Sequence, residues 1–121
     1  MDGHEGLDHV GLRCADQAAS IAWYRELLGL ERVHEDQWGN EPAMLLGPDT
    51  GSGVALFQAS EGFPPGFHHV AFRVTGEAFA AARERFDREG REYEFHDHVA
   101  ARSLYVQDPD GLTVELTTYE V

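Results

Sequence analysis

The chain contains no lysine: its nine basic side chains are all arginines, set against 22 carboxylates, for a formal charge of −13. A surface of that sign repels nucleic acid and anionic lipid, so neither is expected as a partner. It suits a protein living at high salt, where self-repulsion is screened, and a GC-rich genome accounts for the arginines equally well. Cysteine is nearly absent, and the single Cys14 excludes an internal disulfide. No apolar run approaches the ~20 residues that a membrane span needs, and the acidic opening MDGHEG has no secretory-signal character. These absences point to a cytoplasmic protein. What is present, 42% hydrophobic residues in alternating patterns over 121 positions, predicts one globular domain (1–121).

That domain is built from a repeat. DHVGLR, from Asp8 to Arg13, returns sixty residues later as HHVAFR, from His68 to Arg73, so that His9 answers His69. The same offset aligns Leu7 with Phe67, Ala18 with Ala78, Gly51 with Gly111, Val54 with Val114 and Leu56 with Leu116. A register kept at both ends of the unit marks internal duplication. Each copy opens on a β-rich run and continues into a helix. The first helix takes Asp16 as N-cap, a stripe through Ala18, Ile21, Ala22 and Leu28, and Gly29 as stop; the second takes Thr75, then Phe79, Ala82 and Phe86, and Gly90. Three strand-like runs follow each helix, the last two joined by GPDTGSG in one copy and DPDG in the other. The predicted class is α+β: two tandem βαβββ units, 5–60 and 65–121, joined through the linker EGFPPG.

Alternation along the strands sorts the polar residues. Val10, Leu12 and Cys14 share the face that meets the helix, which leaves His9, Gly11 and Arg13 on the other. The same argument turns His69 away from the second helix. In LTVELTT, Val114 and Leu116 take the apolar side, so Glu115 lies opposite with Thr113 and Thr117. A pseudo-two-fold then makes positions 9, 55, 69 and 115 equivalent, and they hold His, Ala, His and Glu. Two imidazoles and a carboxylate are a tridentate set for a divalent metal, and the methyl of Ala55 leaves the fourth corner open, as a catalytic site requires. A buried glutamate in an apolar strand also calls for a cation nearby.

The stretches LDHVGLRCADQAASIAWYRELLGLE, FHHVAFRV and RSLYVQDPDGLTVEL resemble the vicinal oxygen chelate superfamily: glyoxalase I, extradiol dioxygenases, methylmalonyl-CoA epimerase, fosfomycin-resistance enzymes and bleomycin-binding proteins. The resemblance covers essentially the whole chain. It implies paired, curled mixed sheets around a central site, with helices outside, metal ligands at His9, His69 and Glu115, and a homodimer. Glyoxalase I and the epimerase carry a fourth ligand, Glu or Gln, where Ala55 stands, and Gln58 should point to the other face. Fosfomycin-resistance enzymes usually place Thr where Gly11 stands, and bleomycin-binding members generally lack the triad. Extradiol dioxygenases use this three-ligand set with a tyrosine ten residues before the glutamate, here Tyr105.

The reading the resemblance supports is therefore extradiol, catechol-type ring cleavage, with Fe(II) or Mn(II) favoured and Zn or Ni as other occupants. A small substrate chelates through two vicinal oxygens, and O₂ is the co-substrate. Tyr105 would hydrogen-bond substrate or an oxygenated intermediate, and His98, with His96 behind it, would move protons. Ala55 and Phe57 would wall the pocket, and Arg73, with Arg13, would hold an anionic substituent. Two alternatives accompany it: a metal-dependent lyase, isomerase or transferase of glyoxalase or fosfomycin-resistance type that uses no O₂, and a metal-free drug-binding resistance protein.

Overall fold

A computed structural model describes all 121 residues. Eight strands and three helices follow one another as β1 (His4–Cys14), α1 (Gln17–Leu28), β2 (Glu31–Val33), α2 (Glu35–Trp38), β3 (Ala43–Leu46), β4 (Gly53–Gln58), β5 (Gly66–Val74), α3 (Gly76–Glu89), β6 (Glu94–Asp97), β7 (Arg102–Gln107) and β8 (Thr113–Thr118). The class is α+β, and βαβββ occurs twice; the one-turn helix α2 is an addition to the first copy that the sequence pattern does not announce. By contacts the chain divides into a first unit, His9–His69, and a second, Met1–Asp8 with Val70–Val121.

The first unit orders its strands β2-β3-β4-β1 and the second β5-β8-β7-β6, with β1 up to Asp8 counted in the second unit and β5 up to His69 in the first. In each, the opening strand runs parallel to the closing strand: β1 to β4 with Gly11 opposite Ala55, and β5 to β8 with Ala71 opposite Glu115. The remaining pairs are antiparallel. A parallel neighbour needs a long crossover, and here helix and hairpin strands supply it.

The helix signals act as their chemistry requires. Asp16 accepts a hydrogen bond from the Ala19 N–H at 3.1 Å, Thr75 does the same for Ala78 at 3.1 Å, and Gly29 and Gly90 close the helices in the left-handed region. In the second unit Phe79, Ala82 and Phe86 pack with Val74, Leu104 and Leu116, as the apolar stripe predicts. The first helix departs from its stripe. Ala18, Ala22 and Leu28 are exposed; Ile21 packs as expected, and the helix turns Gln17 and Tyr24 with it toward Cys14, Leu45 and Leu56. The reason is Gln17, whose side-chain amide donates to the carbonyls of Asn40 and Leu56 at 2.7 Å each. Apolar residues occur on several sides of α1, so these two hydrogen bonds, one buried and one part-buried, decide its rotation.

The second unit also holds a buried charge cluster. Asp8 is fully buried; Arg73 reaches its Oδ1 through Nη2 at 2.7 Å and Nε at 2.8 Å, and the Tyr119 hydroxyl donates to Oδ2 at 2.9 Å. Burial, and then the Asp8 charge, push the Tyr119 phenol well above its usual value of 10.0. A phenol that resists ionisation in the folded state contributes stability that is whole below pH 10 and declines above it, as the unfolded chain ionises first. Alkaline titration of the unfolding free energy is expected to fall by about 1.4 kcal/mol per pH unit for this group. Tyr119→Phe should flatten that slope, and an unchanged slope would contradict the assignment.

Candidate metal centre

Within the first unit, the face of β1 and β4 away from α1 carries His9, Gly11 and Arg13 on one strand and Gly53, Ala55 and Phe57 on the other, paired in register. Met44 stands opposite Ala55 on β3. His9 and His69 are both buried, and their Nε2 atoms lie 3.0 Å apart with the rings near perpendicular, at 88°. Two nitrogens in adjacent positions of one ion, each at about 2.1 Å, are about 3.0 Å apart, so the pair has the spacing of two cis ligands. Gly11 makes this possible. A Cβ at position 11 would collide with Nδ1 and Cε1 of the His69 ring.

Around that pair the first unit offers no further donor of the glyoxalase kind. Ala55 is wholly buried, and Met44 beside it is 3% exposed. The corner that would hold a Glu or Gln carries only the methyl of Ala55, which donates nothing. Gln58 faces elsewhere, as alternation requires: its Oε1 accepts from the Gln17 N–H at 3.0 Å, and its Nε2 donates to the Ala15 carbonyl at 2.8 Å. Phe57 lies against His68, with centroids 4.4 Å apart and planes at 14°. The Arg13 guanidinium sits 5.6 Å from the Phe63 ring centre.

Within the second unit, β8 places Glu115 opposite Ala71 on one side and Tyr105 on the other. Glu115 is buried and accepts from the Ser103 hydroxyl at 2.6 Å, a short, charge-assisted bond that fixes the carboxylate. Ser103 is fully buried two residues before Tyr105, on the same face of β7, and Thr117 lies 3.3 Å from its hydroxyl. Tyr105 meets His98 Nε2 at 2.9 Å. Its phenol is pushed well above the usual range, first by burial and then by the Glu115 charge. His96 is exposed, stacks on His98 at 5.7 Å and pairs with Glu94. Arg73 stands in register with Thr117, and its guanidinium is engaged by Asp8.

The sequence-derived candidates thus separate into two groups. His9 and His69 converge with Ala55, Phe57 and Gly11 in the first unit; Glu115, Tyr105 and His98 converge in the second. Sequence reasoning missed Ser103, Met44 and the part played by Gly11. Ser103 was findable, since a small polar residue two before Tyr105 must share its face. Met44 lay on a strand too short to show alternation.

The family model described as the Glyoxalase/Bleomycin resistance protein/Dioxygenase superfamily matches residues 6–116. No curated protein matches the chain. Among solved structures, methylmalonyl-CoA epimerase from Mycobacterium tuberculosis is similar at 26% identity and a TM-score of 0.71, over 93% of this chain and 87% of that one. Methylmalonyl-CoA epimerase from Streptomyces coelicolor, solved as a single-site variant in complex with 2-nitronate-propionyl-CoA, is similar at 25% identity and a TM-score of 0.64, over 95% and 97%. The 2,3-dioxygenase LapB from Pseudomonas sp. KL28 shares the fold at a TM-score of 0.73 and 16% identity, over 98% of this chain and 42% of that one. No helix is long and apolar enough to cross a membrane.

Proposed function

Because the chain belongs to the glyoxalase/bleomycin resistance protein/dioxygenase superfamily, we propose that it is a divalent-metal enzyme in which His9 and His69 from the first unit and Glu115 from the second hold one ion. The observation that carries the proposal is the buried imidazole pair at cis-ligand spacing. The donor chemistry fits: His9, His69 and Glu115 are each buried, and two imidazoles with a carboxylate are a donor set able to bind a divalent metal. Two imidazoles and one carboxylate suit Fe(II) or Mn(II), with Zn and Ni as weaker matches.

The ion would supply a Lewis acid that takes two vicinal oxygens of a small substrate and stabilises developing oxyanion charge. The protein's own side chains supply the rest. Ser103 holds the Glu115 carboxylate in one orientation. Met44, Ala55 and Phe57 present an apolar wall that excludes water and suits the ring of a catechol. Tyr105, held neutral, donates a hydrogen bond to a substrate oxygen, and His98 at 2.9 Å accepts or returns a proton through it. On β3 and β4 the site face bears no ionisable side chain, so the proposed acid–base work falls to Tyr105 and His98 on the other unit's side of the site.

Extradiol-type ring cleavage with O₂ is the reading this arrangement supports best, because the ligand set stops at three and the fourth corner is apolar. A second reading, a metal-dependent isomerase or lyase that uses no O₂, is favoured by the similarity to two epimerases at 25–26% identity. Metal analysis of protein purified without chelator, followed by O₂ uptake with catechols, tests both. One equivalent of Fe or Mn with O₂ consumption supports ring cleavage. Tightly held Zn or Ni without uptake transfers the assignment to the second reading. No metal, even after reconstitution, overturns the enzyme proposal and leaves a drug-binding protein. Glu115→Ala is expected to weaken metal binding about 100-fold, a loss of roughly 3 kcal/mol for one ligand. Light scattering is expected to find a homodimer.

A further inference from the structure

We propose that His68 is a positioning residue for the centre: it accepts the Nδ1 proton of His69 and so fixes the tautomer in which His69 Nε2 carries a lone pair. Neighbouring side chains on a strand normally point to opposite faces. His68 departs from that rule, because its Nδ1 lies 2.7 Å from Nδ1 of His69. Its ring also stacks on Phe57, a residue of the site face of β4, with planes 14° apart. The stack sets the plane of the His68 ring, and the plane sets the direction of its Nδ1.

Proton counting gives the rest. Two ring nitrogens at hydrogen-bond distance share one proton. For His69 to offer Nε2 as a ligand, a neutral imidazole must carry its proton on Nδ1. That proton then points at His68 Nδ1, which accepts it, and His68 keeps its own proton on Nε2. Phe57, His68 and His69 thus form a chain of support running from the sheet to the ligand atom, and a second histidine performs the task that a carboxylate or carbonyl performs at many metal-bound imidazoles.

This inference rests on the metal reading of His9, His69 and Glu115, and the test separates the two. His68→Phe keeps a ring against Phe57 and removes the acceptor. His68→Asn places an amide oxygen near the position of Nδ1 and restores it. For each, ¹⁵N imidazole spectra of the metal-free protein at neutral pH report the His69 tautomer, and competition with a chromophoric chelator reports Zn(II) affinity. Wild type is expected to show His69 protonated on Nδ1. His68→Phe should lose that preference and bind Zn(II) about 10- to 100-fold more weakly, with His68→Asn close to wild type in both. A His68→Phe protein with unchanged tautomer and affinity overturns the proposal, as does an Asn variant no better than Phe. If wild type takes up no Zn(II), the metal reading falls by itself, and the spectra still decide whether His68 sets the His69 tautomer.

Discussion

Alanine at position 11 is expected to cost the protein about 2 kcal/mol of stability and roughly 100-fold in metal affinity. The sign is diagnostic. Glycine in a strand interior is ordinarily the weaker choice, and its replacement by alanine gains about 0.5–1 kcal/mol. Here the added methyl would occupy the place of Nδ1 and Cε1 of His69. The ring has little freedom to yield, for Nδ1 is held by His68 at 2.7 Å, Nε2 faces His9 at 3.0 Å, and Phe57 lies edge-on at 6.0 Å. Either the strand shifts or the ring leaves its position, and both disturb the imidazole pair. Thermal unfolding should move down by roughly 8 °C for a domain of this size, and chelator competition should read the affinity loss. An unchanged midpoint with unchanged metal binding would mean that His69 occupies another position in solution.

Arg73→Ala is expected to destabilise the fold by about 3–5 kcal/mol, enough to lower the midpoint by more than about 10 °C. Asp8 has no exposed surface, and both Arg73 contacts fall on its Oδ1. Removing the guanidinium leaves a carboxylate supported through Oδ2 by the Tyr119 hydroxyl at 2.9 Å, and an unpaired buried charge costs far more than the pair contributes. The double variant Asp8→Asn with Arg73→Ala should recover a large part of the loss, because a neutral amide has no charge to desolvate. If the single variant unfolds like wild type, the pair is not formed in solution. The same double variant tests Arg73 as an anion-binding residue: a rise in KM that persists after stability returns would assign it that second task.

The duplication, the βαβββ order and the helix ends were legible because each rests on local chemistry: a constant offset, Asp16 and Thr75 as caps, Gly29 and Gly90 as stops. The orientation of α1 was not, since apolar residues on several sides of one helix leave its rotation to distant partners, here the carbonyls of Asn40 and Leu56 that Gln17 reaches. Trp23 illustrates the same limit: its place in a helix suggests packing, and it is 55% exposed.

By itself the sequence determined which strand face each candidate residue takes. Strand alternation put His9, His69, Ala55 and Glu115 on the faces away from the helices, and a period of two leaves no other assignment. It also restricted the ligand set, since a methyl at position 55 cannot donate. Only the tertiary structure decided how those residues are held. Gly11 clears space for a ring far along the chain, Ser103 fixes a carboxylate on the next strand, Phe57 turns His68 toward the site face, and Asp8 engages Arg73. Each of these is a contact between residues far apart in the chain or against the strand rule. Such contacts are selected by packing of whole elements; alternation reaches the face that Ser103 takes, but not the partner that any of these residues meets.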